Sequence, residues 1–388
     1  MSVTATSELL LPAAGGSLER FVPGEPTAFE RPARRPSSSR VFYAAAHVVA
    51  DPLADGESAG AALDWEATLA YRRHLWSWGL GVAEAMDTAQ RGMGLGWGEA
   101  RELISRSAAE ARACGGLLAA GAGTDQLPAG QPASLQRIRE AYLEQCAFVE
   151  GEGCRVILMA SRALAAAARG PDDYRTVLEP VLEAAREPVI LHWLGDMFDP
   201  ALAGYWGKED LDGATEEVLR LVAGHAERID GIKVSLLDDA REVALREALP
   251  EGVRLYTGDD FNFPSLIAGG SHALVGIFDA IAPAAACALT VLDGGDVEGF
   301  ERALDPTLPL ARKLFAAPTY HYKTGIVFLA WLNGHQGHFR MVGGLEGART
   351  LLHLADVFRL ADDAGLLADP PLAAERMRRL LAVGGVDQ

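Results

Sequence analysis

The 388-residue sequence is poor in lysine: of its 35 basic residues only Lys208, Lys233, Lys313 and Lys323 are lysines. No run of Lys or Arg offsets its formal net charge of −18, so nucleic acid is not an expected partner. No stretch of about 18 apolar residues occurs, and no membrane span is expected. The N-terminus lacks the basic region and apolar core of a signal peptide, which makes the cytoplasm the expected location. Cysteine is scarce too. Cys114, Cys146, Cys154 and Cys287 show no CxxC or CxxxC spacing and read as small buried residues in a reducing compartment. Acidity by itself says nothing about substrate.

What is present is an alternation of short apolar runs and amphipathic segments. Leu9–Pro12, Gly15-Gly16 and Leu18–Val22 read as a hairpin, and residues 31–39, rich in Arg, Pro and Ser, as a linker. From residue 40 onward, apolar runs at 41–48, 82–87, 117–121, 156–159, 189–193, 229–236, 253–256 and 273–277 predict eight strands. Helical periodicity separates them. One helix is capped by Asp64, carries Trp65, Leu69, Tyr71, Leu75 and Trp78, and stops at Gly79. Others are expected near 98–113, 134–150, 174–186 and 213–227. This is the pattern of a (β/α)8 TIM barrel. A doubly wound sheet is disfavoured, because no glycine fingerprint follows the first strand. Residues 297–304, 308–315, 322–332 and 346–364 predict further helices. The expected organisation is an N-terminal hairpin and linker (1–39), a barrel (40–282) and a C-terminal helical extension (283–388).

Chemistry in such a barrel sits where strands run into the following loops. Polar residues collected there include His47, Glu84, Asp87, Thr88, Gln90, Arg91, Ser161, His192, Lys233, Ser235, Asp259 and Asp260. Lys233 stands out. In Ile229-Asp-Gly-Ile-Lys-Val-Ser235 the residues Gly231, Lys233 and Ser235 share one strand face, opposite Ile232, Val234 and Leu236. A buried ammonium is costly unless deprotonated, paired or used, and a desolvated lysine, unlike arginine, forms imines. Its ordinary alternative is a strand-end lysine reaching solvent. An imine mechanism needs a lysine pKa lowered to roughly 7–8 and a partner to shuttle protons, for which His192 on the neighbouring strand is the candidate. His47, Glu84, Asp87, His192 and Asp259 also suggest a second chemistry, a divalent-metal site of the kind sugar isomerases use. None of them has metal-ligand spacing, and no metal is assigned. A third reading is a non-catalytic sensor of small molecules.

Gly231-Ile-Lys-Val-Ser235, followed by Tyr256-Thr-Gly-Asp-Asp260, resembles the dihydrodipicolinate synthase / N-acetylneuraminate lyase family. The resemblance extends through Ala268-Gly-Gly-Ser-His-Ala-Leu-Val-Gly276 to Lys313-Leu-Phe315 and Tyr322-Lys-Thr324. It implies a class I aldolase or lyase with Lys233 as the imine-forming residue. Such an enzyme needs no cofactor. Its partners would be a small-molecule substrate and further copies of the chain, as a dimer or tetramer. Two motifs depart from the family pattern. Where the family ends its fifth strand in Tyr-Asn-x-Pro, with a carboxylate-binding arginine shortly after, this chain has His192-Trp-Leu-Gly-Asp196, and Met197 falls near the arginine position. The family's Gly-Thr-Thr-Gly-Glu loop is here Asp87-Thr-Ala-Gln-Arg91. The expectation is therefore cleavage or dehydration of a keto-sugar or keto-acid-like molecule through Lys233. Thr88, Gln90, Arg91, Ser235 and Asp259 would orient the substrate, and pyruvate would not be preferred. Residues 199–213, with Tyr205, Trp206 and Lys208, are long enough for a lid, although an ordinary surface loop explains them as well.

Overall fold

A computed structural model of the chain describes residues 8–32, 37–54 and 62–387. Linker residues 33–36 and the segment 55–61 lie outside that description. The N-terminal hairpin forms as expected: β1 (Leu9–Pro12) pairs antiparallel with β2 (Leu18–Phe21). Its turn passes through Gly15 and Gly16 at φ of 79° and 81°, a region that a side chain enters only with strain. Leu9 and Leu11 are buried, and Phe21 packs edge-on against Phe358 of the C-terminal region.

Eight parallel strands close into a barrel: β3 (Phe42–Ala45), β4 (Gly81–Glu84), β5 (Leu118–Ala122), β6 (Arg155–Leu158), β7 (Val189–Leu194), β8 (Ile229–Ser235), β9 (Arg254–Thr257) and β10 (His272–Val275). Each pairs with its sequence neighbours, and β10 closes the ring on β3. Alternation sorts the side chains. Tyr43, Ala83, Ala119, Ile157, Ile190, Tyr256 and Leu274 form one buried cluster inside the barrel, while alternate residues such as Val82, Val156, Leu191 and Ile232 belong to the layer packed under the helices. The barrel interior is thus a packed core, leaving its C-terminal rim for chemistry.

The first barrel helix, Trp65–Ser77, is capped as expected by Asp64, whose side chain accepts from the Ala67 N–H. Beyond the barrel lie Ala282–Asp293, Val297–Leu304, Leu308–Leu314, Tyr322–Leu332, Leu351–Asp363 and Pro370–Val383. The helix expected at 346–364 begins later, at Leu351, because Gly343 and Gly344 hold the preceding segment in a left-handed turn. Tyr322–Leu332 is buried along its whole length, and this fixes its first residue against the barrel rim. In the 199–213 segment Tyr205 and Trp206 are buried against Tyr174, with ring centroids 4.9 Å and 5.9 Å away. That is the packing of an anchored loop. Among the described residues no helix is long and apolar enough to cross a membrane.

Candidate active site

Lys233 sits near the C-terminal end of β8. At its foot Gly231 admits the ring of Tyr256, since a Cβ there would meet a ring carbon at 2.7 Å. At its side Gly258 is equally constrained: a Cβ would lie 2.2 Å from Ser235 Oγ and 3.0 Å from Lys233 Cε. These two glycines explain why the GIK and TGDD motifs occur together. Small residues on adjacent positions make the slot in which a long side chain lies buried.

The side chain opens into a narrow cleft at the barrel rim. Asp87, Thr88, Ser235, Asp260 and Tyr322 supply its polar lining, and Met86, Leu194 and Phe198 supply apolar wall. Lys233 is only 7% exposed. Its Nζ lies 3.1 Å from His192 Nε2, and Ser235 Oγ lies 3.4 Å from the same nitrogen. Among the described residues no carboxylate forms an ion pair with it. Burial lowers the Lys233 pKa, and the more distant charges of Asp87 and Asp260 pull the other way. His192 is driven well below its ordinary value, first by burial and then by the charge of Lys233, so the imidazole is neutral. Its Nδ1 is buried without a partner, leaving Nε2 as the nitrogen that meets the lysine.

Two further lining groups have raised pKa values. Burial raises the pKa of Asp260, whose Oδ1 accepts the Ile277 N–H at 2.7 Å; that bond and the charge of Lys233 work against the rise. Tyr322 enters from the C-terminal helices. Its hydroxyl is 2.7 Å from Thr88 Oγ1, and its ring stacks on Phe315 at 4.4 Å. Burial, followed by the charge of Asp87, lifts its pKa well above the usual phenol value, so it stays protonated.

Of the residues singled out from sequence, Lys233, His192, Asp87, Thr88 and Ser235 come together. His192 stands behind the lysine rather than in the lining. The remainder make hydrogen bonds or ion pairs elsewhere in the protein. Glu84 follows inward-facing Ala83 and so points outward, where it forms a fully buried ion pair with Arg72 and accepts from Ser107 Oγ at 2.6 Å. His47 is held by Asp279 at 2.9 Å and by Gln336 Oε1 at 3.2 Å. Gln90 donates to the Val342 carbonyl at 2.8 Å. Arg91 forks onto Asp125 and also donates to Gln145 and to the Gly121 carbonyl, so its guanidinium is spent within the protein. Ser161 caps the helix Arg162–Ala167 and meets Thr124 Oγ1 at 2.6 Å. Asp259 accepts from Phe261, Asn262 and the Asn262 side chain, and it is the next residue, Asp260, that lines the cleft. Of the five side chains considered as metal ligands, His192 and Asp87 stand at the Lys233 site, whereas His47, Glu84 and Asp259 belong to separate networks. Among the described residues no group of three or more His, Cys, Asp or Glu side chains converges as ligands do.

From sequence alone Tyr322 and Lys323 carry no assigned role. The signal that could have found them was the rarity of lysine combined with a tyrosine next to it at the start of an apolar helix.

Comparison with solved structures gives the same fold. The chain is similar to the dihydrodipicolinate synthase from Thermotoga maritima, with 16% identity over 84% of this chain and 99% of that one and a TM-score of 0.64. It is similar to the chloride-inhibited dihydrodipicolinate synthase from Acinetobacter baumannii complexed with pyruvate, at 18% identity over 85% and 100% with a TM-score of 0.63. The dihydrodipicolinate synthase from Bacillus anthracis matches at 16% identity over 83% and 97%, with a TM-score of 0.62. At such identities the likeness is one of fold, and it agrees with the resemblance carried by the GIK and TGDD motifs. No curated protein sequence matches. A family profile described as "Protein of unknown function (DUF993)" matches residues 9–386, nearly the whole sequence, and the chain belongs to that family.

Proposed function

We propose that the chain is a class I aldolase-type lyase in which Lys233 forms an imine with the carbonyl carbon of a small keto acid or keto-sugar. The observation that carries this reading is the state of Lys233: buried, with no carboxylate in an ion pair with it among the described residues, lining a polar cleft and facing a neutral histidine. A free amine is the form that attacks a carbonyl, and desolvation favours it.

Attack by Nζ gives a carbinolamine. The nitrogen loses a proton to His192, the former carbonyl oxygen gains two in succession, one returned by His192 and one from solvent, and it leaves as water to give the iminium. In retro-aldol cleavage a base takes the proton of the hydroxyl β to the iminium carbon. The electrons of the breaking carbon–carbon bond then flow into the iminium, giving an enamine and releasing a carbonyl product. Protonation of the enamine carbon and hydrolysis return the lysine. In dehydration a base instead takes the proton α to the iminium carbon, the electrons of that bond flow into the iminium to give an enamine, and the enamine expels the β-hydroxyl, which leaves as water on gaining a proton. Asp260 supports the acid/base role through its raised pKa and its place in the lining. Tyr322, hydrogen-bonded to Thr88, supports the role that the family resemblance assigns to a fifth-strand tyrosine, here replaced by His192. Asp87 and Ser235 are the remaining polar contacts for substrate.

Imine formation exchanges a carbonyl oxygen with solvent, and this tests the reading without knowledge of the product. Protein-dependent incorporation of 18O from labelled water into keto acids or keto-sugars is expected, with loss in Lys233→Arg. Exchange that survives in Lys233→Arg overturns the assignment, because a guanidinium does not form the adduct.

A further inference from the structure

Two carboxylates line the Lys233 cleft, Asp87 on the loop after β4 and Asp260 on the loop after β9. Among the described residues Lys233 is the only basic side chain in that lining. The two carboxylates differ in their surroundings. Asp260 accepts the Ile277 N–H, whereas the half-buried Asp87 side chain makes no hydrogen bond or ion pair with the described residues. Its oxygens are left for whatever enters the cleft. Nearby cations are held away from it. Arg91 forks onto Asp125, and Arg162 pairs with Asp199 and donates to the Gly92 carbonyl at 3.0 Å. Lys323 is outside the lining, behind the Tyr322 ring, and donates to the Tyr320 carbonyl. Backbone donors of the Asp87 loop are used as well. The Ala89 N–H donates to the Met86 carbonyl at 3.1 Å, and the Gln90 N–H to the Asp87 carbonyl at 2.9 Å.

The charges around the cleft balance without a charged substrate. Asp87 acts on Lys233 and Lys323, and Asp260 acts on Lys233. An iminium at Lys233 favours the ionised form of Asp260, since positive charge there opposes the rise in its pKa. Two carboxylates then face two cations. A substrate carboxylate would be a third anion, set in the cleft against the other two, and an unpaired buried anion is costly. Hydroxyl groups meet no such obstacle, because they donate to carboxylates. Thr88 and Tyr322 share one hydrogen bond at 2.7 Å, in which one hydroxyl donates and the other keeps its proton for a substrate oxygen. Ser235 adds a third hydroxyl to the lining, and Met86, Leu194 and Phe198 keep the cleft narrow.

We propose that Asp87 is the specificity-determining residue of this site and selects an uncharged hydroxyketone, a short open-chain keto-sugar, against the corresponding oxo acid. Its carboxylate accepts a hydrogen bond from a substrate hydroxyl and repels a carboxylate at the same position. The assignment rests on the imine reading for the reaction but not for the binding, and it deepens that reading by naming the substrate class.

The test uses two pairs that differ only in a primary alcohol against a carboxylate, hydroxyacetone with pyruvate and dihydroxyacetone with hydroxypyruvate. Equilibrium binding is measured by calorimetry and adduct formation by borohydride trapping, on wild type and Asp87→Asn. In at least one pair the wild type should bind the neutral member about tenfold or more tightly than the acid, as a charge-assisted hydrogen bond warrants. Asp87→Asn should bring that ratio close to one or below, through tighter binding of the acid. A merely structural aspartate would weaken both members and leave the ratio unchanged. Equal binding or acid preference in wild type, no binding of either neutral compound, or a preference that persists in Asp87→Asn overturns the proposal. Selective binding of the neutral member without any trapped adduct leaves the selectivity standing and sinks the imine mechanism, so the two failures are distinguishable. If Asp87→Asn does not fold, Asp260→Asn serves: losing the second lining carboxylate should lower the neutral-to-acid ratio, and an unchanged or higher ratio overturns the proposal.

Discussion

Lys233 and His192 are cross-strand partners. Their Cα atoms are in register between β7 and β8, and the side chains meet at 3.1 Å. Burial lowers the pKa of both groups, and the charge of Lys233 further disfavours a cationic His192. A neutral imidazole against a lysine is a local acceptor for the proton that the amine must lose. His192→Phe should therefore slow imine formation, by about 10²-fold or more, while the adduct still accumulates over long incubation. Stopped-flow or quenched trapping measures it. A wild-type rate in the variant would show that the histidine is only a packing residue.

Asp260 and Tyr322 act after the imine in this account. Asp260→Asn and Tyr322→Phe should each reduce turnover by about 10²- to 10⁴-fold with trapping on Lys233 preserved. Both variants keep shape, so loss of trapping together with loss of turnover would point to a collapsed cleft and against a proton-transfer role.

Gly258 tests the packing of the site. In Gly258→Ala the new methyl group must displace Ser235 Oγ, the Val234 carbonyl at 2.7 Å and Lys233 Cε. Backbone cannot yield as a side-chain tip does. A stability loss of about 1–3 kcal/mol and a marked fall in trapping are expected from thermal unfolding and adduct assays. Full stability with full activity would mean the slot is looser than its geometry implies.

Lys323 makes stability depend on pH in a definite direction. Burial lowers its pKa from 10.5 to about 8, with Asp87 and Asp199 opposing the shift. Between these values the unfolded chain holds the proton that the folded protein has given up, so this group's contribution to stability improves as pH rises from about 8 to 10.5. Lys323→Met lacks that dependence. The stability of the variant relative to wild type should fall across the same interval, as followed by urea unfolding at several pH values. A difference that grows with pH would contradict the assignment.

The barrel was legible because eight apolar runs separated by helical periodicity leave few alternatives, and period-2 alternation in β8 already set Lys233 apart from Ile232 and Val234. The site was only partly legible. Ala83 and Glu84 are adjacent, yet one faces the barrel core and the other Arg72. A strand-end carboxylate looks the same in sequence whether it faces a cleft or a helix. Arg91 was expected to meet substrate, but its partner Asp125 lies on the following loop and takes both arms of its fork. Tyr322 reaches Thr88 across 234 positions, a contact that follows from how the C-terminal helices dock and from nothing local. The same docking buries Lys323.

The central claim is that Lys233 forms a covalent imine. The most direct measurement is borohydride reduction in the presence of a panel of keto acids and keto-sugars, followed by peptide mass spectrometry. The account predicts a mass increment equal to the reduced substrate adduct on the peptide carrying Gly231-Ile-Lys-Val-Ser235, and no adduct in Lys233→Arg. An unmodified Lys233 with a carbonyl substrate that the enzyme demonstrably turns over, or an adduct confined to another lysine, would contradict it.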